Sequence, residues 1–228
     1  MTISENVNRL QAGIDQAKAQ SASSSQKVTL ICVSKYHTVD EAMAVYQAGV
    51  RNFAENRVEG FLEKKAAMPK DITWHLIGSL QTRKVKDVIN QVDLFHALDR
   101  IKLAKEINKR ADHVIDCLVQ VNVSGEASKH GLAPDQLLDF IDQLADYPKI
   151  RVQGLMTMAP AHAGVNDLHK YFSQLRQLGQ QVVSRQLSYA PCQELSMGMS
   201  GDYPVAIAEG ATMVRIGSAF FQKETIND

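Results

Sequence analysis

Val28-Thr29-Leu30-Ile31-Cys32-Val33-Ser34-Lys35-Tyr36 is an apolar, β-rich run that closes on a lysine and a tyrosine. It reads as a buried strand of a parallel sheet with Lys35 at its mouth. A lysine in that position is either a solvated strand terminus or, where its amine loses hydration, a nucleophile able to form a Schiff base. Which of these holds depends on what the other strands bring to the same end of the sheet.

Working outward from 28–34, further short strand-like runs occur at 52–55, 73–77, 94–97, 114–123, 152–158, 194–197 and 213–216. Helical patterns separate them. Asp40 opens one closed by Gly49, and Pro134 opens another that continues to about 145, before Tyr147-Pro148; Pro at a first turn and Gly past a last turn are the usual punctuation. The stretch 166–186 brings Leu168, Phe172, Leu175, Leu178, Val182 and Val183 onto or near one face, and ahead of all the strands Ile3, Val7, Leu10, Ile14 and Ala17 mark an N-terminal helix. Strands alternating with helices indicate βαβ units. Eight of them without a linker or composition break predict an α/β fold, a single (β/α)8 TIM-type barrel over residues 1–228 with an additional N-terminal helix. The competing topology is an open Rossmann-like sheet. Against it, the first strand is not followed by GxGxxG, and the chain has no GxxxxGK[ST] loop.

Composition narrows the partners. Acidic and basic residues balance at 25 each, which gives no reason to expect nucleic acid or an anionic membrane. The first 20 residues carry polar and acidic positions instead of a signal-peptide core, and no apolar stretch reaches membrane-spanning length. Cys32, Cys117 and Cys192 are far apart with no CxxC spacing, so they read as reduced core thiols of a cytoplasmic protein and no metal site is expected. Arg83, Lys84 and Lys86 read as a solvated helix face, with an anion-binding surface as the alternative.

In a barrel the chemistry collects at the C-terminal ends of the strands. After the seventh and eighth strands stand Ser200-Gly201-Asp202 and Gly217-Ser218, each leading into a short helix. Helix N-termini with a nearby glycine and hydroxyl suit a phosphate, although Ser200 alone is equally a helix cap. Arg215 precedes Gly217 by two residues and so shares its side of the strand. An arginine inside Thr212-Met213-Val214-Arg215-Ile216 needs a partner, either a carboxylate such as Glu194 or a ligand's ring nitrogen or anion. A Schiff-base lysine, a phosphate cup and a ring-nitrogen partner are the three attachments of pyridoxal 5′-phosphate.

The segments VSKYHT, NFAENRVEG, WHLIGSLQTRK, HALD, GLMTM and LSMGMSGDYPVAIAEGATMVRIGSAFF resemble the pyridoxal phosphate homeostasis proteins, which share the barrel of the alanine racemase N-terminal domain. The resemblance covers nearly the whole chain. It implies that Lys35 carries the cofactor as a Schiff base and that Asn56 sits beside it. It also implies that Ser200, Gly217 and Ser218 hold the phosphate, that Arg215 faces the pyridine nitrogen, and that Met156 or Met158 lines the ring pocket. The chain departs from the family at Ala54 and Ser218, where Gly and Thr are commoner, and at Tyr36-His37-Thr38 after the lysine. Serine keeps the hydroxyl a phosphate needs, and His37 reads as a loop histidine or a shield for the bound cofactor.

The role implied is a monomeric holder of pyridoxal phosphate in vitamin B6 homeostasis, without robust turnover and with pyridoxal phosphate-dependent apoenzymes as partners. An arginine at the ring nitrogen weakens the ring as an electron sink, and the chain is expected to lack the second domain that gives a racemase its other base. The alternative is a minimal amino-acid racemase or a cofactor-free Schiff-base aldolase.

Overall fold

The computed structural model describes residues 2–21, 25–127 and 129–222. Strands β1 (Thr29–Val33), β2 (Asn52–Glu55), β3 (Thr73–Leu76), β4 (Leu94–Leu98), β5 (Ile115–Gln120), β6 (Ile150–Met156), β7 (Glu194–Ser196) and β8 (Met213–Ile216) are parallel and close into a barrel in chain order. The ring is sealed by β8 pairing with β1, Ile31 opposite Arg215. Around it lie α1 (Ile3–Gln20), α2 (Val39–Gln47), α3 (Val58–Ala67), α4 (Val85–Val88), α5 (Ile101–Arg110), α6 (Leu137–Gln143), α7 (Val165–Ser184), α8 (Tyr203–Ala208) and α9 (Ser218–Phe221). This is the expected (β/α)8 barrel with an extra N-terminal helix.

Alternation along the strands separates two layers. Trp74 on β3 meets Phe53 of β2 and Phe61 of α3, with ring centroids 5.9 and 5.7 Å apart. Trp74 therefore faces the helices, and its neighbour His75 faces the barrel interior. Burying each such aromatic is worth about 3 kcal/mol. β6 and β7 approach so closely that a Cβ on Gly154 would sit 1.9 Å from the Glu194 carbonyl oxygen, which only glycine permits.

β2 and β8 have the expected bounds, while others differ for identifiable reasons. β5 ends at Gln120: the Val121 N–H still reaches the Met156 carbonyl at 2.9 Å, but Val121 bridges Leu132, and the Asn122 side chain donates to the Glu126 carbonyl at 3.0 Å to close the following loop. β6 begins at Ile150, where Arg151 forms a two-pronged ion pair with Asp116 of β5 at 2.6 and 3.0 Å. It ends at Met156, so Met158 lies beyond the strand. The helix expected from Pro134 is three pieces, 3-10 turns at Pro134–Gln136 and Leu144–Asp146 flanking α6. Along α7, Leu168, Phe172, Leu175, Leu178 and Val182 are buried. Val183, one position and about 100° further round the helix, is instead exposed.

α1 is more than an appendage. Its Thr2–Glu5 capping box starts it, and Val7, Leu10, Ile14 and Ala17 are buried. A Cβ on Gly13 would meet the Tyr203 hydroxyl at 2.3 Å, so glycine lets α1 approach the start of α8. Asn6, fully buried, donates to the carbonyls of Phe220 and Gln222 at 3.0 and 2.9 Å. The N-terminal helix thus braces the two short helices that follow β7 and β8.

Candidate functional site

An open cavity of about 530 Å³ lies at the C-terminal ends of the strands, with Lys35, Met158, Ser200, Arg215, Gly217 and Ser218 among its lining residues. Six of the seven residues named from sequence therefore meet at one place. The seventh, Asn56, lines an adjoining cavity of about 330 Å³ with Arg57, Gly78 and Lys84. The backbone there is tight, since a Cβ on Gly78 would fall 2.0 Å from the Asn56 carbonyl oxygen. Met156 is buried in β6, so of the two methionines named from sequence Met158 is the one at the cavity, which Met199 also lines.

Of the two sequence readings of Lys35, the structure shows the exposed strand-end amine and not the desolvated one. β1 ends at Val33, and Lys35 stands exposed in the turn that follows, its Nζ 4.9 Å from the centroid of the equally exposed Tyr36 ring. What is buried is the residue before it. The Ser34 N–H donates to the Ala54 carbonyl at 3.1 Å, and its hydroxyl donates to Glu55 Oε1 at 2.7 Å. Its own carbonyl accepts from the His37 N–H at 2.9 Å and from Lys64 Nζ at 3.1 Å. Lys64 also pairs with Glu55 at 2.7 Å, with both side chains almost completely buried. A buried ion pair, spanning α3 and β2, therefore fixes the turn that presents Lys35. Sequence reading missed Lys64, whose charge looked like that of any helix surface.

His37 is likewise held and is not a free loop histidine. It stacks on Phe221 with centroids 3.4 Å apart, and its Nδ1 lies 3.3 Å from Glu41, the carboxylate that completes the capping box of α2.

Across the cavity, Arg215 is buried. It donates through one Nη to the Ser196 hydroxyl at 2.6 Å and through the other to the Thr157 carbonyl at 2.7 Å. Glu194, a candidate partner from sequence, accepts from the Thr212 hydroxyl instead. Among the described residues no carboxylate is within ion-pair distance of Arg215, and burial brings its guanidinium down to about 10, partly offset by the charge of Asp202. It therefore remains cationic at neutral pH. Asp202, the N-cap residue of α8, makes no side-chain bond into the helix; its carboxylate accepts from the preceding Met199 N–H, and burial raises its carboxyl. Ser200 precedes that cap and is free to face the cavity, its hydroxyl 3.5 Å from that of Ser218, the first residue of α9.

Behind Arg215 the barrel interior is polar. Ser196 Oγ lies 3.1 Å from His96 Nδ1, His96 Nε2 lies 2.9 Å from His75 Nδ1, and His75 Nε2 lies 3.1 Å from Asn52 Oδ1. Burial pushes His75 down to about 3, and burial together with the charges of His75 and Arg215 pushes His96 well below its ordinary value. Both are therefore neutral when folded but titrate near 6.5 when unfolded. Below that pH the unfolded chain binds more protons, so stability present above about 6.5 is lost as pH falls. Thermal unfolding should show stability declining from pH 7 to pH 5, each ring contributing a slope of up to about 1.4 kcal/mol per pH unit. A flat profile over that interval contradicts the neutral assignment.

The three cysteines are buried; burial raises the thiols of Cys32 and Cys117 and takes Cys192 to about 12, as befits core residues. Among the described residues no helix is long and apolar enough to cross a membrane.

A family model described as the alanine racemase N-terminal domain matches residues 6–224. The chain is 39% identical over 225 residues to the pyridoxal phosphate homeostasis protein of Aquifex aeolicus, covering 97% of this chain and 98% of that one. It is 35% identical over 212 residues to the protein of the same name from Schizosaccharomyces pombe, covering 90% and 88%. Among solved structures, PipY of Synechococcus elongatus PCC7942 with PLP bound superposes with a TM-score of 0.83 at 32% identity, over 97% of this chain and 100% of PipY. An alanine racemase of Clostridium difficile 630 shares the fold, with a TM-score of 0.77 at 14% identity over 100% of this chain and 58% of the racemase.

Proposed function

The chain belongs to the pyridoxal phosphate homeostasis proteins, a family with the alanine racemase N-terminal barrel, and from that premise we propose that it holds pyridoxal 5′-phosphate on Lys35 for intracellular vitamin B6 homeostasis. The observation that carries this reading is the convergence of one exposed amine, one buried unpaired guanidinium and a serine–glycine cup on a single cavity.

When bound, the cofactor supplies an aldehyde that condenses with the Lys35 amine and a ring that can delocalise electrons. The chain's own residues do the rest. Ser200, Gly217 and Ser218 take the phosphate: the two hydroxyls lie 3.5 Å apart, and Ser218 opens α9 directly after Gly217. A Cβ on Gly217 would make only ordinary contact, 3.5 Å from the Val33 carbonyl, so local packing does not require glycine and the space suits a ligand. Arg215, which can donate but not accept, faces the ring nitrogen and keeps it unprotonated. Met158 packs against the ring. Asn56 lines the adjoining cavity, and we give it no cofactor contact.

Retention in place of turnover is supported by the placement of Tyr36. Its ring lies beside Lys35 on the same turn, so the two groups do not present opposite faces for proton exchange. The same reading makes the protein a cytoplasmic monomer that serves pyridoxal phosphate-dependent apoenzymes.

Titration of the purified protein with pyridoxal 5′-phosphate tests this directly. A saturable visible absorbance band that is removed by borohydride is expected, and a protein that stays colourless refutes the proposal. Arg215→Glu should shift that band, because a carboxylate at the ring nitrogen favours its protonation. An unshifted band counts against the Arg215 contact.

A further inference from the structure

The interior hydrogen bonds form a line whose direction is set at Asn52: its Oδ1 can only accept, so His75 Nε2 carries the hydrogen there and His75 Nδ1 is bare. Arg215 has no acceptor, so its Nη donates to Ser196 Oγ. Ser196 Oγ keeps a second lone pair after accepting from Arg215, so the direction of its bond to His96 comes from the Asn52 end: the bare His75 Nδ1 takes the His96 Nε2 hydrogen, and His96 Nδ1 accepts from the Ser196 hydroxyl. His96 Nδ1 is then bare, and in a neutral ring Nε2 carries the hydrogen and donates to His75 Nδ1. His75 in turn bears its hydrogen on Nε2 and donates to Asn52 Oδ1, at the opposite end of the barrel. Each link presents its acceptor end toward Arg215 and its hydrogen away. The aligned dipoles stabilise a buried cation that has no carboxylate beside it.

We propose that Ser196, His96 and His75 are positioning residues for Arg215, a one-way hydrogen-bond relay that fixes the guanidinium toward the cavity. The functional consequence rests on the reading that Arg215 meets the cofactor's ring nitrogen. A carboxylate in place of Ser196 would draw the guanidinium into a two-pronged fork. A neutral hydroxyl takes one N–H, the Thr157 carbonyl takes another, and the remaining donors stay available to a ligand. The relay thus supplies what the site needs, a cation held still but not neutralised.

The first test uses the unliganded wild-type protein. Nitrogen-15 NMR should find both His75 and His96 as Nε2–H tautomers at neutral pH, and the two Nη resonances of Arg215 separately resolved because rotation is restrained. Ser196→Ala should merge the Nη resonances and weaken pyridoxal 5′-phosphate binding about tenfold, while Ser196→Thr, which keeps the hydroxyl, should retain resolved resonances and near wild-type affinity. A merely structural serine would lower the melting temperature of Ser196→Ala without touching either readout, and that result overturns the relay. An Nδ1–H tautomer of His96 in the wild type overturns it as well. Failure of the wild type to take up the cofactor refutes the cofactor reading alone, since the tautomers decide the relay without it.

Discussion

Lys35→Ala is expected to leave a folded protein that no longer retains pyridoxal 5′-phosphate. The side chain is exposed, and its one described contact is with the exposed Tyr36 ring. Removing it should therefore change stability by no more than about 0.5 kcal/mol. Ligand binding is another matter. The phosphate cup and Arg215 remain in place and leave weak, dissociable binding, but the covalent link is gone. The visible band should be lost, borohydride should trap nothing, and affinity should fall at least about a hundredfold, or roughly 2.8 kcal/mol. Absorbance after desalting, set beside the melting curve of the same sample, separates loss of the amine from loss of the fold. A variant that stays coloured after desalting would remove Lys35 from its assigned role.

Glu55→Gln should destabilise the fold by about 3–5 kcal/mol, because it leaves the Lys64 ammonium buried without its counter-charge. Among the described residues Lys64 has no other carboxylate partner, and its other bond is to the Ser34 carbonyl. For a chain of 228 residues that corresponds to a fall in melting temperature on the order of 10 °C. Lys64→Met should cost a comparable amount by stranding Glu55. The double variant Glu55→Gln with Lys64→Met removes both charges, and it should be more stable than either single variant. Strict additivity of the two losses contradicts a coupled buried pair. Because the pair also holds the peptide from which Lys35 projects, Glu55→Gln should weaken cofactor retention even at temperatures where it remains folded.

The relation between sequence and site is clearest at these residues. The alternation of apolar strands with helical patterns was enough for the barrel, because closing eight such units follows from their order alone. Strand ends were then enough to bring Lys35, Met158, Ser200, Arg215, Gly217 and Ser218 to one cavity, since a parallel barrel puts all its C-terminal strand ends on one face. Sequence left the exposure of Lys35 open between a solvated strand terminus and a desolvated amine. The turn after β1 settles it: Ser34 keeps its N–H on the Ala54 carbonyl while its hydroxyl bonds Glu55 and its carbonyl accepts from His37 and Lys64, and the Glu55–Lys64 pair lies distant in sequence. Asn56, at the end of β2, lines the neighbouring cavity beside Gly78, whose Cα packs against the Asn56 backbone.

The interior relay had a signal that went unread. Trp74-His75 and Phe95-His96 place a histidine beside a large aromatic on two adjacent strands, and with the aromatics facing the helices both histidines must face inward. Two imidazoles inside one barrel need partners, and Ser196 and Asn52 supply them. Their pairing could not be read from one strand at a time, since it joins β2, β3, β4, β7 and β8.

The central claim is that one particular amine of this barrel holds the cofactor. It is tested most directly by loading the wild-type protein with pyridoxal 5′-phosphate, reducing with borohydride and mapping the modified peptide. A pyridoxyl group on Lys35 and on no other lysine is the expected result. Modification at another lysine, or none at saturating cofactor, would contradict it.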